Sequence, residues 1–451
     1  MPLNLLEKFG KILYNKSKKF PLRGKEAAMK LNWTRTFFVG LAFFLISLFW
    51  QSYDGVIQLI LENTFGLNPV LRGFVMALDN ILALFLLPLF GRLSDKTRTR
   101  WGKRTPYIVV GTLVAAVGYV LVAVFADSAN LPGFFVTLMI VLLAMSVFRS
   151  PAVSLMPDVT PKPLRSKANA VINLMGALGG LIVLVMTMFI YQDGHALPLF
   201  AAVSGIMVVA LIVFLFTVRE PSLVEKMEAE SRDLGLEAEE DEAPEEGERL
   251  RGGKLKSMIF LLAAVFLWFM AYNAVTSSFS LYAQNVWNIT DGDFSLPLMV
   301  AQGAAIVMFI PVGFLASRIG RKKTILIGIL CMIGAFGAAF FFKTYSLVVL
   351  VFFALAGVGW ATINVNSYPM VVEMSRGSTV GAYTGLYYTA SMAGQIATPI
   401  LSGVFIHFFG YGALFPYSVI FMVLALVSML FVRHGDSKAA LPKSKLELYD
   451  Q

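Results

Sequence analysis

Twelve apolar runs, each roughly 20 residues or more and so long enough to cross a bilayer as a helix, constrain this chain before anything else does. They fall at about 34–62, 70–90, 107–126, 133–155, 168–191 and 197–218, then at about 258–285, 295–317, 324–342, 346–372, 379–408 and 411–432. With 57% of its 451 residues hydrophobic and only 14% charged, the chain excludes a soluble globular fold, because a surface that apolar has only lipid to face. The expected architecture is an all-α polytopic membrane protein of two pseudo-symmetric six-helix bundles. Its parts are a basic tail (1–33), a first bundle (34–218), an acidic linker (219–257), a second bundle (258–432) and a tail (433–451).

Charge placement gives the orientation. With both termini inside, 34 of the 37 Lys and Arg residues fall on inner tails and loops; Arg72 and Lys343 lie outside and Arg149 within a span. That bias predicts cytoplasmic termini in a multi-pass protein, with the plasma membrane as its expected location. The net charge of +9 is threaded between spans rather than gathered on one face, so nucleic acid is not an expected partner. Leu3, Leu5, Leu6, Phe9 and Leu13 among lysines read either as a short surface-lying amphipathic helix or as a frayed basic tail. No cleaved leader is read. Between Glu220 and Glu248 thirteen acidic residues meet two basic ones, the composition of a solvated, largely disordered tether. The single cysteine, Cys331, and the scattered His195, His407 and His434 offer no metal spacing, and no cofactor or catalytic constellation is expected.

The densest charge lies in Gly91–Pro106, GRLSDKTRTRWGKRTP, with six Lys or Arg and one Asp between the second and third spans. A degenerate echo begins 222 residues later at Gly313, with Ser317 standing where Asp95 stands. Asp95 can accept hydrogen bonds from a neighbouring helix N-terminus, and Arg98, Arg100 and Arg104 can bridge to carbonyls or to Asp95. Such contacts would latch the inner ends of the bundles in one state and part in the other, making Gly91, Asp95, Arg98, Arg100, Gly102 and Arg104 gating residues; a plain orientation anchor is the alternative.

A two-bundle chain with this loop and its second copy resembles the major facilitator superfamily. The expanded spacing, in which Asp95 precedes Gly102 by seven with Ser94, Arg100, Arg104 and Pro106 around them, looks like the glycoside-pentoside-hexuronide:cation symporters, with melibiose permease, and the related proton-coupled sucrose transporters. The resemblance implies secondary active transport by alternating access, and no enzymatic activity.

Ionisable residues deep in a span cost at least a few kcal/mol and are functional candidates by default. Asp79 lies near the middle of the second span and is the leading coupling-ion site, since a carboxyl in low dielectric can load and release a proton. Melibiose permease carries a DxxxD pair in this span; only Asp79 is present here, about a turn away, which favours H⁺ over Na⁺. A structural pairing with Arg149 is the alternative. Asp54, sharing a face with Gln51 and Gln58, supports the site or meets interfacial water. Arg149, late in the fourth span, reads as a latch partner of Asp95 or a cycle partner of Asp79, and Asp158 and Glu373 as inner-end ion-pair partners.

Candidate substrate-binding residues are Gln51, Gln58 and Asn80, Asn169 and Asn173 (with Gly176 and Gly180 on their face), Tyr272 and Asn273 (with Thr276, Ser277, Ser280 and Gln284), Trp360 and Asn364, and Tyr387 and Gln395. Neutral amides, hydroxyls and flat rings suit a sugar's hydroxyls and C–H face. The expected function is proton-coupled symport of a neutral sugar or glycoside. An exporter of drugs or lipids is the alternative, using the 38 Phe and 21 Met to line a greasier cavity. A non-transporting sensor is a remoter one.

Overall fold

The computed structural model describes residues 31–161, 164–233, 252–374 and 380–435. Among them twelve helices are long and apolar enough to cross a membrane. The first bundle comprises α1 (Trp33–Asn63), α2 (Pro69–Lys96), α3 (Thr105–Asp127), α4 (Leu131–Asp158), α5 (Arg165–Ile190) and α6 (Leu197–Thr217). A further helix, α7 (Glu220–Asp233), follows, and then the second bundle: α8 (Gly252–Trp287), α9 (Ser295–Ile319), α10 (Arg321–Phe340), α11 (Val349–Met374), α12 (Val380–Phe409) and α13 (Leu414–Leu430). The candidate amphipathic segment at Leu3–Leu13 lies outside the described residues.

The local sequence sets the helix starts. Asn32, Asn68 and Asn130 each cap a helix by accepting a backbone N–H three residues on, from Arg35, Leu71 and Gly133, and proline opens α2 and α4 where no N–H is needed. At the inner loops, helices outrun their apolar cores. The second run is apolar only to about residue 90, yet α2 continues to Lys96, carrying Arg92 and Asp95 out of the hydrocarbon as helix.

One expectation needs correcting. The first part of the acidic segment is not an unstructured tether but α7, because Leu223, Val224 and Met227 recur at helical spacing and the first two pack on the core. Its Glu230 accepts a two-pronged bond from Arg35 at 3.1 and 2.8 Å, tying α7 back to the start of α1. Residues 234–251, the rest of that segment, are not among those described.

Both bundles pair their helices alike. Within the first, α1 packs on α5 and α6, α2 on α4, and α3 on α4 and α6; in the second, α8 packs on α12 and α13, α9 on α11, and α10 on α11 and α13. Between bundles α2 meets α12, α5 meets α9 and α1 meets α8. These are the pairings of a duplicated unit facing its copy.

The two ends differ. At the end opposite the basic loops, here the far end, Asn63 and Gln284 exchange amide hydrogen bonds (2.9 and 2.7 Å). Glu62 is bonded by Arg72 and Tyr411 and by Asn285 at 3.0 Å, and Asp291 accepts from the Asp193 amide at 2.9 Å. Beneath this polar lid the backbones touch. A Cβ on Gly73 would lie 2.2 Å from the Pro399 carbonyl oxygen, and one on Gly403 would lie 2.4 Å from that of Pro69, so both glycines are needed for α2 and α12 to meet. At the basic end the charged pairs Arg104 with Asp158 and Asp95, and Arg321 with Glu373, are each internal to one half. The structure is closed at its far end.

Gly73→Val should therefore wedge the far end open. With spin labels on Ser128→Cys and Thr344→Cys, one far-end loop from each bundle, the closed-to-open ratio should fall by about tenfold or more, ~1.4 kcal/mol. Gly205→Val, where an added Cβ meets nothing within 4 Å, should leave the distance distribution unchanged.

Candidate functional site

At mid-depth a cavity lies between the bundles, lined from the first by Gln51 and Asp54 and from the second by Tyr272, Thr276, Gln302 and Trp360, among others. The rings of Tyr272 and Trp360 stack face to face with centroids 3.6 Å apart and planes 3° from parallel, an aromatic pair that joins α8 to α11. Phe269 meets Trp360 edge-on at 5.4 Å and fixes it from behind. Asp54 is half-buried here and makes no hydrogen bond or ion pair to any described residue, so its carboxylate is left facing the cavity. It stands nine residues short of the end of α1, roughly 14 Å along the axis, deeper than an interfacial position would be.

Asp79 is also half-buried, and the Asn80 side-chain amide donates to both its oxygens at 2.9 and 3.0 Å. Asp54, Asp79 and Arg149 lie within electrostatic reach of one another. The Arg149 guanidinium sits over the Trp50 ring, 5.8 Å from its centroid. The two acids thus share one interior cation without a direct salt bridge, which leaves a proton on either carboxyl able to alter the field at the other.

Other candidates fall elsewhere. Gln58 is buried and donates to Ser278 at 3.4 Å, bridging α1 and α8. Asn169 and Asn173 are exposed on the face of α5 that, nearer the far end, packs on α1 and α9 through Gly176 and Gly180. Asn273 keeps a buried side-chain nitrogen with no hydrogen-bond partner among the described residues. Asn364 and Gln395 are half-buried and donate only weakly, at 3.5 and 3.4 Å, to carbonyls of their own helices. Tyr387 is buried, bonded to Ser367 at 3.0 Å and packed against Tyr368 and Tyr388, which makes it part of the α11–α12 contact rather than of the cavity wall. Gln302 was not singled out from sequence; a lone amide inside the apolar run MVAQGAA was the available signal.

The sequence profile of the Major Facilitator Superfamily matches residues 39–367 and again 261–448. The chain belongs to that superfamily. Among similar proteins, an isoprimeverose transporter of Lactiplantibacillus pentosus is 25% identical over 315 residues, covering 67% of this chain and 63% of that protein. A sucrose transport protein of Arabidopsis thaliana is 25% identical over 139 residues, 27% of this chain and 23% of that one. A solved D-xylose-proton symporter superposes with a TM-score of 0.66 at 16% identity, covering 90% of this chain and 99% of that one, which shows the shared fold. This major facilitator is accordingly an integral multi-pass membrane transporter, not an enzyme.

The loop that carries the superfamily resemblance is organised differently from expectation. The helix N-terminus is capped not by Asp95 but by Glu220, the first residue of α7. Its buried carboxylate accepts the backbone N–H groups of Lys103 (2.8 Å), Arg104 (3.0 Å) and Thr105 (2.8 Å) and the Thr105 hydroxyl (2.7 Å). An anion there meets three unsatisfied amides and the positive end of the α3 dipole. Gly102 makes room: its φ of +105° suits glycine, and a Cβ would lie 2.3 Å from that carboxylate. Asp95 pairs instead with Arg104, as does Asp158 at 2.8 Å, while Arg104 also reaches Ser94 and the Gly91 carbonyl (3.4 Å). Burial pulls the Arg104 pKa down, but bonds to Asp158 and Asp95 outweigh it and the net shift is upward. Arg98 and Arg100 are exposed, Arg100 lying over the Trp101 ring at 5.9 Å. In this state Arg149 is therefore not a partner of Asp95. The expected inner-end roles of Asp158 and Glu373 match the pairs found.

Glu220→Gln should replace an acceptor-only group with an amide whose NH₂ faces N–H donors. A loss of ~3 kcal/mol is expected for breaking such a buried charged contact, read as a lower melting temperature of the purified protein. Glu225→Gln, on the exposed side of the same helix, should melt like wild type.

Proposed function

We propose that this major facilitator carries a neutral sugar or glycoside by alternating access, in symport with protons, from a plasma membrane in which its basic end faces the cytoplasm. The observation that carries this reading is the mid-depth cavity, where the stacked Tyr272–Trp360 pair lies with Thr276 and Gln302 on one bundle and Gln51 and Asp54 on the other. A pyranose presents an apolar C–H face and a rim of hydroxyls, so an aromatic plane with amides and a carboxylate around it is complementary. Asn273, next to Tyr272 in sequence and with a buried nitrogen that has no partner among the described residues, is proposed as a further donor. The isoprimeverose and sucrose transporters among its relatives agree with such a cargo.

Proton coupling fits the charges. Arg149 already provides a cation near Asp54 and Asp79, so a metal ion would have to bind against its repulsion, whereas a proton only neutralises one carboxyl. Asp79, held by Asn80, is the proposed proton carrier, with Asp54 between it and the substrate in function. The Gly91–Arg104 loop, rigidified by Glu220, Asp158 and Arg104, acts as the gating element at the basic end. The lysine and arginine bias supports the orientation.

In proteoliposomes, isoprimeverose or sucrose added to wild type should draw protons inward and alkalinise the outer medium. Asp79→Asn should abolish that signal while leaving sugar counterflow, which needs no net proton movement. Sugar uptake without proton movement would overturn the coupling, and dye efflux without sugar uptake would favour an exporter. Trp360→Ala should weaken sugar binding by about tenfold, because Tyr272 loses the ring it stacks on and its own face is no longer held in place.

A further inference from the structure

Gln302 is the one side chain at the cavity that bonds across it to backbone of the other bundle among the hydrogen bonds described. Its Nε2 donates to the Ala177 carbonyl, midway along α5, at 2.7 Å. That carbonyl sits inside a continuous helix and already accepts the amide four residues on, so the glutamine adds a second donor to a satisfied oxygen. Such a bond costs little to give up. The amide keeps one N–H and its Oε1, a donor beside an acceptor, the pair that fits two adjacent hydroxyls. Glycine at 180 makes the reach possible, since a Cβ there would lie 2.8 Å from the Gln302 nitrogen and 3.3 Å from the Gln51 Oε1. The contact belongs to the α5–α9 seam, which must part when the far end opens.

Resting on the sugar reading above, we propose that Gln302 is a substrate-positioning residue that also ties the bundles together, exchanging the Ala177 carbonyl for a substrate hydroxyl as the cleft opens to the far side. With the tie made, the far end stays closed. With the seam parted, the amide is free for an incoming sugar, and closing the cleft brings α5 back within its reach. The same residue therefore contributes to affinity and to the balance between states.

The full chain, reconstituted in nanodiscs, provides the test. Affinity is read by calorimetric titration with isoprimeverose, sucrose and a panel of other neutral mono- and disaccharides. The conformational balance is read from the Ser128→Cys and Thr344→Cys spin-label distance with Cys331 replaced by serine. Gln302→Ala should bind about tenfold more weakly and shift sugar-free protein toward longer far-end distances. Gln302→Glu, which keeps the size but loses both donors, should do the same, and melting near wild type excludes misfolding as the cause. Gly180→Ala, which displaces the amide without removing it, should lengthen the distance and leave affinity within about threefold. Wild-type affinity or wild-type distance in both Gln302 variants overturns the role of Gln302 alone. Failure of wild type to bind any sugar on the panel overturns the sugar reading and this inference with it.

Discussion

Hydrocarbon supplies no hydrogen-bond partner, so every polar group carried into the membrane must be satisfied within the protein or must face a cavity that water or substrate can fill. Most of the hydroxyls here obey the first condition by bonding back to their own helices, as Ser146 does to the Leu142 carbonyl, Thr187 to Val183 and Thr398 to Gly394. Those are structural groups. Among the polar groups that do not, three come from the middle of the membrane: Asp54, which has no hydrogen-bond or ion-pair partner among the described residues, the buried nitrogen of Asn273, likewise without one, and the half-used amide of Gln302.

Duplication explains the scaffold and its asymmetry explains the chemistry. Each half pairs its helices in the same way, yet Asp54, Asp79 and Arg149 all come from the first bundle and the Tyr272–Trp360 pair from the second. In the function proposed, the carboxyls that would take up a proton and the rings that would hold a sugar thus belong to separate bundles. Coupling between them has to cross the seam, so contacts spanning it, such as Gln58 to Ser278 and Gln302 to Ala177, matter beyond their own modest energies. The basic loops repeat the asymmetry. Glycine with positive φ turns the chain at both Gly102 and Gly320, but among the described residues only the first turn is shown filled by a carboxylate, that of Glu220 at the start of α7. At the second, Ser317 bonds to the Phe314 carbonyl and Arg321 reaches Glu373 instead.

How much of this was legible follows from the range of each interaction. Burial in lipid is a property of a run of residues, so the twelve spans and the two-bundle division could be read directly, with ends shifted by a few residues where polar helix continued beyond the apolar core. Gln51, Asp54, Tyr272 and Trp360 stood out because each is polar or amphipathic in an apolar run, and the structure brings them to one cavity. Tyr387 stood out for the same reason and proved to be bonded inside its bundle, because spacing along one helix does not say which neighbour it meets. Glu220 was hidden by its company. Counted among thirteen acids of a polar segment it looked solvated, although Pro221 and the Leu223, Val224 and Met227 pattern mark the start of a helix. Which amides a carboxylate caps is a long-range fact that no local pattern carries.

The far-end closure shows why such a seam can switch. Its polar lid, from Glu62 to Tyr411 and from Asn63 to Gln284, exchanges bonds with protein for bonds with water when it opens, so its net contribution is small. Its apolar part, where Gly73 and Gly403 let α2 and α12 touch backbone to backbone, depends on dispersion contacts that fade within a fraction of an ångström. A seal of that kind is either made or lost and offers little resistance between, which favours two discrete states over a gradual hinge. With the polar terms near balance and the dispersion term short in range, the free energy separating the states can be small enough for one bound molecule to tip it. That is the condition under which occupancy of a mid-depth cavity can govern access to it.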